Sequence, residues 1–310
     1  MTGGGRSMRG RARRIAADRG RTLVLAIVVT ACGAHGARAA RGADDEVVVA
    51  APSYARAQYV AWRTGHASLA LASHHACGWD QRTRLLPDGS TEVTVVVDPS
   101  ASLGTAPWPR HAPLPTSVAP WLPSSLAPPE IRELAEEIVH GALTQAEVSA
   151  RILTWVSVNV HHAEDPGHDD PIPALTSGSG SCIARSLLSV ALLRAAGLPA
   201  RTLHGLLVHE GSGGEPGAVE LHRFVETWID GAGWVPSDPG ESVHVVDTRH
   251  VVISDDALPY DPETQRGLTL RRQGALEPLA LASRPVHAAA RPLVVRRAEL
   301  AEPRAQGMTP

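Results

Sequence analysis

Residues 178–201 read GSGSCIARSLLSVALLRAAGLPAR. The stretch joins a Gly-Ser loop to a long apolar pattern, and it sets Cys182, one of only 3 cysteines in the chain, at the junction. Ala184, Leu187, Leu188, Ala191 and Leu192 recur at the helical period. A helix is therefore expected from about Cys182 to Ala196, with Gly197 as its cap and Pro199 as its stop. A thiol at that position is either a small apolar helix residue or a nucleophile, because the unpaired N–H groups and dipole of a helix start favour a thiolate.

After this helix the period changes to that of strands. Arg201–Val208 and His222–Ile229 read as strands, Asp230-Gly231-Ala232-Gly233 as a hairpin turn, and Trp234–Asp238 as the return strand. A turn near Gly231 pairs positions whose numbers sum to roughly 460–463, which sets His222 opposite a residue between Asp238 and Glu241 at a spacing of about 5 Å. If the helix start packs on that open end, Cys182, His222 and Asp238 form a triad. The thiol attacks, the imidazole carries the proton, and the carboxylate orients the ring and stabilises its charge. The backbone N–H of Cys182 is available to an oxyanion; a second donor is needed, with Trp155 or another upstream side chain as candidates.

The same stretch, continued as TLHG and followed by LHRFVETWIDGAGWVPSDPG, resembles the transglutaminase-like superfamily of papain-like cysteine enzymes. The shared pattern is a Gly-x-Cys helix ending in an R-A-x-G-[IL]-P-A-R run, then a strand carrying His, then G-W-x-x-x-D-P. Cys182, His222 and Asp238 occupy its three positions, and the upstream ILTWVSVNV resembles its entry, so the likeness spans roughly residues 120–256. It implies an α+β fold, helices packed on an antiparallel sheet, and cysteine-dependent acyl transfer with no cofactor and no metal. One departure is Arg223-Phe224 after His222, where the family more often carries Ala-Trp.

Outward from this core the organisation is legible in outline. EIRELAEEIVHG after Pro128-Pro129 reads as one helix, and a capping box at Thr144 and Glu147 opens a second with Val148, Ile152, Trp155 and Val156 on one face. Residues 46–120 read as a small β region, with Val47–Val49, a turn at Pro87-Asp88-Gly89 and Thr91–Val97, followed by a proline-rich linker. One or two further strands are expected in Val243–Ile253. The core is bounded at 121–256, and residues 257–310 read as a partly disordered extension.

The N-terminus reads as an export signal. Seven arginines precede TLVLAIVVTA, an apolar run of ten residues, too short to span a bilayer. Val29-Thr30-Ala31-Cys32 resembles a lipobox, which would cut the signal at 1–32 and lipidate Cys32; Ala37-Arg38-Ala39 fits ordinary cleavage instead, and 33–45 reads as a tether. An exported protein is expected, a periplasmic or cell-envelope lipoprotein or otherwise a secreted one, touching membrane only through a lipid on Cys32. Removal of the signal takes seven arginines and Asp18, leaving a net charge of about −9 and no basis for nucleic-acid binding. All 29 basic residues are arginine.

Other residues carry plainer expectations. Cys77 in SHHACGWD reads as a structural thiol, although a disulfide to Cys182 would silence the nucleophile. His161, His162, Asp165, His168, Asp169 and Asp170 lie in a solvated loop without the fixed spacing of a metal site. His204 and His250 read as structural strand residues, and Trp228 and Trp234 as hairpin core. The expected partner is a protein or peptide whose amide bond is attacked; the alternative is a catalytically silent module that recognises envelope or peptide ligands.

Overall fold

The computed structural model describes residues 54–63, 71–98, 100–122, 127–163, 170–209, 219–240, 243–244, 246–255 and 268–278. The export signal, the tether, Val47–Val49 and the chain beyond 278 lie outside these residues.

In chain order the elements are β1 (Tyr54–Arg63), β2 (His74–Ala76), β3 (Trp79–Leu85), β4 (Thr91–Val97), α1 (Pro129–Val139), α2 (Gln145–Asn159), β5 (His161–His162), α3 (Pro171–Ser177), β6 (Ser179–Gly180), α4 (Cys182–Ala195), β7 (Ala200–Val208), β8 (Val219–Ile229), β9 (Gly233–Ser237), β10 (His250–Asp255) and β11 (Leu268–Pro278). The fold is α+β. An antiparallel four-stranded sheet in the order β10-β7-β8-β9 is the middle layer. The helices cover one face, where Ile131, Ile138, Ile152, Leu153, Leu188, Leu192 and Leu193 form a core with Ala200 and Val225. On the other face lies a second antiparallel sheet in the order β11-β1-β4-β3-β2. Tyr59, Trp79, Val93 and Val95 of that sheet pack with Leu203, Phe224, Val251 and Val252. Phe224 and Val225 are neighbours in sequence that enter different cores, as the alternation of a strand buried on both faces requires.

Polar seams fix how the sheets meet. The Gln81 amide is fully buried, with Nε2 donating to Val252 O at 2.9 Å and Oε1 accepting from Val252 N at 2.8 Å, so one side chain pairs with β10 as a strand would. The Tyr59 hydroxyl donates to Thr248 O at 2.8 Å, and Cys77 N donates to Trp234 O at 2.7 Å. Glu226 is buried without solvent contact, held by His74 at 2.7 Å and Arg201 at 2.9 Å. Gly205 on β7 is a close approach: a Cβ there would lie 2.6 Å from Val251 O and 2.9 Å from the Phe224 ring.

Several expectations hold in detail. α4 spans Cys182–Ala195, with Gly197 in the left-handed region at φ 83°. Thr144 caps α2 by accepting from Glu147 N, and β8 and β9 pair as Val225↔Ser237, which places the hairpin register inside the expected range. Others need correction. The loop before Cys182 contains α3, capped by Asp170, and a short parallel pairing of β5 with β6. Within Val243–Ile253, where one or two strands are expected, the described residues form one, from His250 onward. The extension expected from residue 257 contributes β11, which pairs with β1 from Tyr54↔Pro278 to Arg63↔Leu268. β11 has a weak sequence signature because it is an edge strand with Leu270 turned inward at 2% exposure and Arg271 and Gln273 exposed.

Candidate active site

Ser181 starts α4. Its Oγ accepts from Ala184 N at 3.3 Å, which satisfies one donor of the first turn and leaves Cys182 as the first helical residue, half-buried. Beside it, β9 ends at Ser237, and its pairing with β8 stops at Val225. α4 takes the open edge: Ser186 Oγ donates to Arg223 O at 2.9 Å, and the Arg223 N–H stabilises the Cys182 sulfur. The chain leaving β9 brings Asp238 against His222. His222 Nε2 donates to Asp238 Oδ2 at 2.7 Å, and Gly240 N donates to Oδ1 at 2.7 Å. The three residues expected to form a triad are thus brought together by a helix start, a strand edge and the end of a hairpin.

The charges on these groups follow from their surroundings. Burial pushes the Cys182 thiol up, but the hydrogen bond and charge of His222, with the Arg223 N–H, outweigh it and lower the pKa. Burial also disfavours the His222 imidazolium; Asp238 overcomes this and raises it well above the usual histidine range. Asp238 is itself enclosed, and although burial alone would protonate it, His222 and His250 hold it well below the usual carboxylate range. With Nε2 committed to Asp238, Nδ1 is the nitrogen of His222 left to serve the sulfur. Nδ1 is buried and has no nitrogen or oxygen partner among the described residues, which leaves it to the Cys182 sulfur.

Two residues around the triad were not anticipated. His250, expected to be merely structural, sends Nε2 to Asp238 Oδ2 at 3.2 Å and Nδ1 to Asp247 Oδ1 at 3.1 Å. Arg185, one turn along α4 from Cys182, donates to Pro239 O at 2.6 Å and adds positive charge beside Asp238. An Asp three residues before a His was visible in the sequence, but nothing in the linear order ties either residue to Asp238. Trp155 lies near the end of α2, which the β5–β6 pairing holds beside the start of α4; its indole Nε1 is buried without a partner among the described residues.

No disulfide joins Cys77 to Cys182. Cys77 Sγ faces Ser102 O at 3.7 Å. His161 and His162 are exposed in β5, and residues 164–169 of the loop considered for metal binding lie outside the described residues. Ligating atoms of His222, Asp238 and His250 do lie within 4.8 Å of one another. Both imidazole Nε2 atoms, however, direct protons at the same carboxylate oxygen, and both rings favour the protonated form, so this donor set is occupied by hydrogen bonds. Trp228 and Trp234 pack edge to face at 5.6 Å in the β8–β9 hairpin, but both are half-buried rather than core.

Residues 132–239 match the family model described as the transglutaminase-like superfamily, and that segment holds Cys182, His222 and Asp238. The match covers less than half of the chain. No curated protein sequence matches the chain. Among solved structures, the chain is similar to a protein of Cytophaga hutchinsonii described provisionally as a cysteine protease, with 16% identity, a TM-score of 0.43 and coverage of 75% of this chain and 90% of that one. The periplasmic domain of TgpA from Pseudomonas aeruginosa is similar at 18% identity and TM-score 0.40, with 66% and 76% covered. Red sea bream transglutaminase is similar at 12% identity and TM-score 0.31, with 61% and 47% covered. Among the described residues of this chain, no helix is long and apolar enough to cross a membrane.

Proposed function

We propose that the chain is a cysteine-dependent acyl-transfer enzyme acting on amide bonds of proteins or peptides. The observation that carries this reading is the half-buried Cys182 at the start of α4, set against a histidine whose far nitrogen is held by Asp238 at 2.7 Å. Cys182 Sγ attacks the amide carbonyl carbon. The oxyanion is met by the Cys182 N–H, with Trp155 Nε1–H as second donor. His222 passes its Nδ1 proton to the departing amine as the C–N bond breaks, leaving a thioester on Cys182. Water, or a primary amine, then attacks the thioester, gives its proton to His222 and releases the acyl group. Water is the favoured acceptor, since no feature among the described residues marks an amine site. The arginine-rich, apolar N-terminus supports an exported enzyme.

Carbamidomethylation of the Cys182 peptide, followed by mass spectrometry, tests the nucleophile. Labelling near pH 6 that outpaces free cysteine and is lost in His222→Ala is expected; a rate no faster than free cysteine refutes the enzyme and favours a silent binding module. Incubation of glutamine-containing peptides with and without a primary amine then separates hydrolysis from amine transfer by product mass.

A further inference from the structure

Asp238 Oδ2 serves two imidazoles, His222 at 2.7 Å and His250 at 3.2 Å. The second of these is fully enclosed, with 0% exposure, and its other nitrogen meets Asp247 Oδ1 at 3.1 Å. A histidine with a carboxylate oxygen on each nitrogen needs a proton on both, because an unprotonated nitrogen would set its lone pair against an anionic oxygen with no water to intervene. Asp247 is held in turn by Arg249 and accepts the Arg249 backbone N–H at 3.0 Å.

We infer that His250 is a positioning residue charged at neutral pH: anchored by Asp247, it shares Asp238 with His222 and so sets the pH window in which the Cys182–His222 pair is ionised. This rests on the reading of Cys182 as nucleophile. The charged and titratable groups around His250 come from several elements. Asp238 and His222 face it from the β8–β9 hairpin, with ring centroids of the two histidines 5.5 Å apart. Asp247 and Arg249 belong to its own segment. Arg185 of α4 stands on the far side of Asp238, and the Tyr59 hydroxyl of β1 reaches Thr248 O. The Phe224 ring, 5.1 Å away, closes the remaining side with hydrocarbon. In keeping with this enclosure, burial works against the charged ring, but Asp238 and Asp247 raise its pKa to about 9.

A second cation on the shared carboxylate has two effects of the same sign. It weakens the hold of Asp238 on the His222 proton, and it favours the thiolate. Without it, His222 keeps its proton to higher pH and Cys182 loses its proton only at higher pH. At a 5.5 Å separation and an effective dielectric of about 20, the displacement is on the order of one to two pH units.

The test follows the rate of Cys182 carbamidomethylation across pH in the full chain and in His250→Gln, which preserves a donor toward Asp238 without the charge. Both limbs of the profile are expected to move to higher pH. A lower plateau with unmoved limbs means that His250 is only a packing residue and overturns the inference. A wild-type profile no different from free cysteine removes the nucleophile reading instead, so the two failures are distinguishable. Independently, ring 15N resonances of histidine-labelled protein report the charge directly, with His250 assigned by its loss in His250→Gln or by its displacement in Asp247→Asn if the first variant does not fold. Two protonated nitrogens near pH 8 are expected; a neutral tautomer there overturns the proposal.

Discussion

Raising the pH from about 6 to about 9.5 should remove a large, assignable share of the stability of this fold through His250. Its folded pKa of about 9 lies above the ordinary value of 6.5, so its ion pairs contribute fully below pH 6.5 and are lost as pH rises through 9. That difference corresponds to about 3 kcal/mol, which for a domain of this size is on the order of 6–12 °C in Tm. His222 acts in the same direction, so the informative quantity is the alkaline loss in wild type minus that in His250→Gln. It should approach about 3 kcal/mol, reduced by whatever His222 gains when the second cation leaves its carboxylate. Urea unfolding at the two pH values, followed by tryptophan fluorescence, measures it. Equal alkaline losses in the two proteins would refute the assignment of a buried imidazolium at position 250.

Three further outcomes follow from the same geometry. Asp238→Asn leaves His222 and His250 facing a neutral amide; it should cost about 3–5 kcal/mol in urea unfolding and slow Cys182 labelling near pH 6 at least tenfold. On the acid side, Asp238 and Asp247 are both held below the usual carboxylate range, so their contribution is complete above pH 3.8 and lost as pH falls below it. Calorimetry of wild type and Asp247→Asn through that region should show the steeper decline in wild type. Gln81→Ala strands the N–H and C=O of Val252 in the interior and should cost about 2–4 kcal/mol, read from the urea midpoint; a change under about 0.5 kcal/mol would show that water replaces the amide.

Much of the candidate site could be read from order and spacing, because each of its three residues sits at a feature with a local signature. Cys182 follows a glycine loop and opens a helix, His222 and Asp238 flank a Gly-rich hairpin, and hairpin register is arithmetic once the turn is placed. What stayed hidden is long-range. His250 reaches Asp238 only because β10 lies across β7 from β8, two strands from the strand of His222, an order that alternation alone does not specify. β1 was missed because its inward positions include Ala57 and Ala61, whose small side chains blur the strand period, and β11 because an edge strand needs few apolar residues. The pairing of β1 with β11, across more than 200 residues of chain, has no signature shorter than the fold itself.

That pairing bears on how the protein can be handled. A fragment cut to residues 132–239 would retain Cys182, His222 and Asp238 but lose β10 and the whole five-stranded sheet. Leu203 and Phe224 would then meet solvent, and His250 would be gone. Such an excised piece is expected to aggregate rather than turn over substrate, and the smallest workable expression unit must run from before Tyr54 to beyond Pro278.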